Sequence, residues 1–79
     1  SIVVVRELSS VTKEDNVKDL FTRFGEIIRV HCLRYDGSEE IRMAFIHYRH
    51  DQDADKAVAT MHRHPLNNML LRVERSKKR

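Results

Sequence analysis

The stretch Ile41-Arg42-Met43-Ala44-Phe45-Ile46-His47-Tyr48 decides how the rest of the chain is read. Successive side chains of a strand point to opposite faces. Ala44, Ile46 and Tyr48 therefore share one face, and Met43, Phe45 and His47 the other. Immediately upstream, Asp36-Gly37-Ser38 is a turn signal. Before it, residues 27–35 alternate, with Ile28, Val30 and Cys32 on one side and Arg29, His31 and Leu33 on the other. If the turn closes a regular hairpin in which paired residue numbers sum to 76, Leu33 faces Met43, His31 faces Phe45 and Arg29 faces His47. Arg42 has the parity of the apolar face, so it is expected to escape at a bulge or to snorkel to the edge.

Working outward, Ile2-Val3-Val4-Val5 is a short β-branched run and reads as a strand. Ser9-Ser10 makes a turn, and Thr12 with Asp15 resembles a capping box. Val17, Leu20, Phe21 and Phe24 follow with the spacing of one helix face, and Gly25 ends the helix. On the other side, Asp51, Asp53 and Asp55 suit a helix N-terminus. Ala54, Ala57, Val58 and Met61 form that helix's apolar stripe, and Pro65 lies beyond its end. Residues 70–74 read as a fourth strand with Leu71 and Val73 inward. The order β-α-β-β-α-β predicts a ferredoxin-like α+β fold, a four-stranded antiparallel sheet with two helices on one face. The other sheet face is left open.

At 79 residues the chain holds one domain, and 41% hydrophobic content is enough for a core. Two Gly and one Pro argue against a linker or low-complexity segment. A single cysteine, Cys32, rules out an internal disulfide and the secreted stapled scaffolds that depend on them. No apolar run approaches the roughly 18–20 residues of a membrane span, and no signal-peptide pattern is visible. The chain enters a strand at once, and it is expected to be one monomeric domain of a longer intracellular protein. Net charge is +3, from 15 Lys+Arg against 12 Asp+Glu. Residues 72–79 carry five cations against Glu74, a net +4, which leaves −1 for the other 71 residues. The expected division is a domain over residues 1–75 and a basic tail over 76–79. No glycine-rich phosphate loop, nucleophile elbow or inward carboxylate pair is present, so no catalysis is expected. Cys32 stands alone and inward, and the pairs His47/His50 and His62/His64 lack zinc-finger spacing. No metal or cofactor is expected.

These residues resemble the RNA recognition motif (RRM) family, and the resemblance spans essentially the whole chain. Leu20-Phe21-Thr22-Arg23-Phe24-Gly25-Glu26-Ile27 is similar to the family's first-helix ending. Residues 41–48 sit at its RNP1 octamer, and Val3-Val4-Val5-Arg6-Glu7-Leu8 at its RNP2 hexamer. Against the RNP1 pattern, Ala44, Phe45 and Tyr48 match and Ile46 is a close substitute, while Ile41, Arg42 and Met43 depart. The aromatic usual at the second RNP2 position is replaced by Val4. A narrower resemblance joins Asn68-Met69-Leu70-Leu71-Arg72-Val73-Glu74-Arg75-Ser76-Lys77 to the last RRM strand of the eukaryotic translation initiation factor 3 G-subunit family. A protein-binding RRM subclass is marked by Arg-x-Phe after the second helix; here Arg63 is present but Pro65 fills the Phe position.

The resemblance implies single-stranded RNA binding on the open sheet face, weak in isolation. Val4, Met43 and Phe45 occupy the stacking positions, and only Phe45 is aromatic. Base–aromatic stacking contributes about 1–3 kcal/mol per base, so two missing platforms remove about 2–6 kcal/mol if additive. Phe45 would stack a base, with Met43 and Val4 in apolar contact and Leu33 and Ile41 around them. Arg6, Arg29 and Arg72 should share this face beside Glu74 and meet phosphates. His31 and His47 would flank Phe45. Arg75, Lys77, Lys78 and Arg79 would neutralise phosphates beyond the sheet. The alternative is a protein-interaction module that uses the same apolar face, or the helices, inside a larger RNA-processing or translation assembly.

Overall fold

The computed structural model describes residues 1–76. In chain order the elements are β1 (Ile2–Arg6), α1 (Glu14–Phe21) running into a 3-10 turn over Thr22–Phe24, β2 (Ile27–Arg34), β3 (Ile41–Tyr48) and α2 (Asp51–Met61). A small hairpin of β4 (Pro65–Leu66) and β5 (Met69–Leu70) precedes β6 (Arg72–Arg75). The main sheet is antiparallel, in the order β2-β3-β1-β6. Its inner face, Val3, Val5, Ala44, Ile46, Tyr48 and Val73, packs on Val17 and Phe21 of α1, Phe24, and Ala54, Ala57 and Met61 of α2. Burying each large apolar side chain contributes about 1.5–3 kcal/mol. This is the ferredoxin-like arrangement anticipated from the sequence. Among the described residues no helix is long and apolar enough to cross a membrane.

The β2–β3 hairpin has the expected register, with Arg29, His31 and Leu33 opposite His47, Phe45 and Met43. Both of its ends shift by a residue. Ile27 pairs with Tyr48, which leaves Ile28 as an extra residue. Ile28 is 63% exposed, and Ile27 takes the place among the core-packing residues expected for Ile28. At the other end Arg34 pairs with Ile41, which leaves Arg42 extra. The bulge turns Arg42 out to solvent and swings Ile41 into the core at 1% exposure. Ile41 is therefore not beside Phe45, as simple alternation required.

Helix α1 begins one residue later than the capping pattern indicated. Lys13 is the N-cap, and its backbone N–H donates to Asn16 Oδ1 at 2.9 Å. Lysine has no acceptor with which to complete the reciprocal half of a capping box. Thr12 is instead buried and holds loops together. Its Oγ1 lies 3.1 Å from Ser9 Oγ and accepts from Asn67 Nδ2 at 3.0 Å. Gly25 closes the 3-10 turn at φ 155°, a conformation that disfavours a side chain.

The fourth strand of the sheet is shorter than the sequence pattern indicated. Met69–Leu70 leaves the main sheet to pair with Pro65–Leu66, across Asn67 and Asn68 at φ 51° and 72°. Positive φ at both central residues is the geometry of a two-residue hairpin turn, which Asn tolerates. Leu71 and Val73 are buried as expected. The exit of α2 covers the outer edge of β6: Leu71 N–H donates to the His64 carbonyl at 2.9 Å, and Val73 N–H to His62 Nδ1 at 3.1 Å. Covering an edge in this way blocks pairing with another chain.

Candidate nucleic-acid interface

The open face is ordered by strand pairing. Its middle row runs His31, Phe45, Val4, Glu74 across the four strands. One flanking row holds Arg29, His47 and Ile2. On the other side of the middle row lie the pairs Leu33–Met43 and Arg6–Arg72. Phe45 is half-buried, and the His31 ring stacks against it with centroids 6.3 Å apart and planes at 29°. Val4 is only 7% exposed. It forms the floor between Phe45 and Glu74 rather than a platform of its own. An open cleft of about 700 Å³ includes Val4, Arg6, Phe45 and Glu74 in its lining and continues round the β6 edge to Val58 and His62.

The charges on this face are partly self-compensated. Arg6 Nη1 lies 3.4 Å from Glu74 Oε1, and Arg72 Nε 3.4 Å from Glu74 Oε2. All three side chains are well exposed. Exposed pairs of this kind contribute about 0–1 kcal/mol, so a phosphate can replace the carboxylate at little cost. Arg29 has no acidic partner among the described residues. Desolvation and the nearby Arg29 cation hold the His47 imidazole below its ordinary pKa, with His31 adding to the effect. His47 thus stays neutral until lower pH than a free histidine.

One expected site residue points away from the open face. Arg75 sits on the helical side of β6, where its guanidinium meets Asp55 and, at 3.4 Å, Asp51. Strand parity explains this: Val73 and Arg75 face α2, while Arg72 and Glu74 face outward. Lys77 and Lys78 lie outside the described residues, as does Arg79. Cys32 is half-buried against the core, where burial pushes its thiol pKa up. Among the described residues no group of three or more His, Cys, Asp and Glu is placed to hold a metal. Strand parity does not single out Tyr35, because it lies one residue past the last regular pair, yet the residue is 48% exposed at this end of the sheet. The available signal was an aromatic directly before an Asp-Gly turn.

A sheet of this topology, open on one face with the remnants of two aromatic-bearing motifs on its central strands, defines an RNP-type α+β domain. The chain belongs to the RNA recognition motif family, whose profile matches residues 3–72. Among its relatives, the G subunit of eukaryotic translation initiation factor 3 from Schizosaccharomyces pombe is 37% identical over 76 residues, covering 95% of this chain and 27% of that protein. The corresponding Neurospora crassa protein is 35% identical over 75 residues, 94% of this chain and 25% of that one. The chain thus spans about a quarter of the length of these relatives. The likeness to this initiation-factor family seen at residues 68–77 extends along almost the whole chain. Among solved structures, the Rna15 RRM with bound RNA (GU) superposes with TM-score 0.88 at 19% identity, over 98% of this chain and 83% of that one. At that identity the likeness establishes the fold.

Proposed function

We propose that this domain binds single-stranded RNA on its open sheet face, weakly by itself, as one module of a longer translation-initiation protein. The observation that carries this reading is the middle row: Phe45 presented between His31 and Val4, with Arg6, Arg29 and Arg72 around it. Phe45 stacks a base, and Met43 and Leu33 supply apolar contact beside it. The three arginines meet phosphates, with Lys77 and Lys78 extending the cationic track. Membership of the RRM family supports the reading, as do the RNA-bound neighbour and the RNA complex of the Sex-lethal protein. The initiation-factor relatives support a place inside a larger, intracellular assembly. They also favour a second role, in which the apolar sheet face or the helices dock a protein neighbour within that assembly.

The test is a titration of short single-stranded RNAs into the domain, followed by amide chemical shifts. Shifts should cluster on β1 and β3 around Phe45. Phe45→Ala should weaken binding by about 1–3 kcal/mol with little change in fold. If no open-face amide moves at near-millimolar RNA, the sheet does not bind RNA. Loss of a protein partner in that variant, with RNA affinity unchanged, would move the function to protein interaction.

A further inference from the structure

A second cavity of about 260 Å³ opens at the end of the sheet, where β1 leaves and the β2–β3 turn begins. Tyr35 and Met69, 48% and 37% exposed, lie in its wall with Met43. Arg6, Glu7 and Arg42 supply its charge. Arg6 also lines the cleft over Phe45, so the two cavities share that residue. Of the cations on the open face, Arg6 and Arg72 are paired with Glu74. The side chains of Arg42 and Glu7 share this cavity, yet neither has a hydrogen-bond or ion-pair partner among the described residues. The bulge at Arg42 is what brings that side chain out, and Glu7 is held at φ 62°, which a non-glycine residue rarely adopts.

We infer that this cavity is a second nucleotide site and that it selects guanine. The inference rests on the RNA-binding reading above. The chemistry of the lining identifies the base. Tyr35 offers a ring for stacking and Met43 and Met69 an apolar wall. Arg42 offers N–H donors suited to the O6 and N7 acceptors of guanine. Glu7 offers two acceptor oxygens, and guanine alone among the four bases presents adjacent N1–H and N2–H donors to a carboxylate. Uracil would set a carbonyl oxygen against the same carboxylate. Arg6, common to both cavities, takes the phosphate that links this guanosine to the nucleotide on Phe45. The site thereby supplies an aromatic platform to a sheet that has replaced two of its three with Met43 and Val4.

The experiment uses fluorescence anisotropy of the full chain with short oligouridine strands, with and without one guanosine placed at each position in turn. A guanosine at one position should strengthen binding about 5- to 100-fold. Glu7→Gln should abolish that gain without weakening the binding of oligouridine. Tyr35→Ala should weaken the guanosine strand by about 5- to 100-fold. The Tyr35 ring resonances should shift on binding while those of buried Tyr48 do not. If Phe45→Ala weakens every strand but guanosine brings no gain, or the gain survives Glu7→Gln and Tyr35→Ala, the second site is overturned and the sheet reading stands. An equal gain from adenosine overturns the guanine assignment. No binding of any strand overturns both.

Discussion

The Tyr48 hydroxyl donates to the Phe21 carbonyl over 2.5 Å inside the core and ties the end of β3 to the end of α1. That carbonyl stands where α1 passes into the 3-10 turn over Thr22–Phe24, with Phe21 as the turn's N-cap. Burial, with Asp53 adding to it, pushes the hydroxyl's pKa up, so it remains a donor throughout the neutral range. Tyr48→Phe removes this buried hydrogen bond and should cost about 0.5–1.5 kcal/mol in urea unfolding; an unchanged midpoint would mean that the bond adds nothing to stability. His47, on the opposite face, carries a pH prediction. Its folded pKa lies below the ordinary 6.5. The unfolded chain therefore takes up this proton at higher pH, and the small contribution of His47 to stability, complete above that value, declines as pH falls through the histidine range. A phosphate at Arg29 would offset the repulsion and raise the His47 pKa, so RNA binding should take up a proton and tighten as pH falls through this window. The His47 ring protons, titrated with and without RNA, report it directly; coincident curves would remove phosphate from that corner.

At the level of elements, the joint between the 3-10 turn and α2 is set by one missing side chain. A Cβ on Gly25 would run into the Asp53 carboxylate, and its φ of 155° already disfavours one. Gly25→Ala should lower stability by about 1–3 kcal/mol, read from the urea midpoint; no change would show that α2 shifts freely there. The link between β6 and α2 through Arg75 is of another kind. Its carboxylate partners are 79% and 68% exposed, so Arg75→Gln should cost less than about 1 kcal/mol. It should also leave RNA affinity unchanged, since Arg75 faces the helices; a marked loss of affinity would place phosphate on that side after all. The existence of each main element was legible from periodicity, because burial on one face imposes a repeat on the sequence. Their ends were not. Thr12 carries the right chemistry for a cap but is drawn into a hydrogen-bond set with Ser9 and Asn67, which is 55 residues away in the chain. A side chain that can serve a local or a distant partner leaves no local mark of which it takes.

For the molecule as a whole, charge divides into three zones. Acidic residues at the start of α2 hold Arg75, Glu74 is shared by Arg6 and Arg72 on the open face, and the last three residues are all cationic. Net charge alone, +3, does not distinguish these zones. Ending the chain at Ser76 removes Lys77, Lys78 and Arg79. If all three neutralise phosphates of a single strand, the slope of log affinity against log salt should flatten by about 2. An unchanged slope would make the end of the chain a bystander. Of the candidate site, Phe45, Met43, His31, His47, Arg6, Arg29 and Arg72 were placed on one face by parity, and the structure holds them there.

Alternating and helical hydrophobic patterns by themselves determined the order of elements and the identity of the open face, because each follows from the requirement to bury one side of a regular repeat, and the position of the Asp-Gly turn determined the central register of the β2–β3 hairpin. Only the tertiary structure decided where the repeats break. Two bulges turned Ile28 and Arg42 outward and Ile41 inward. The β4–β5 hairpin shortened the fourth strand, and the packing of β6 on α2 drew Arg75 to Asp51 and Asp55. A one-residue shift reverses the facing of the side chains that follow it, and whether it occurs depends on neighbours distant in the chain. The cavity that brings Tyr35, Arg42 and Glu7 together is likewise a product of those shifts.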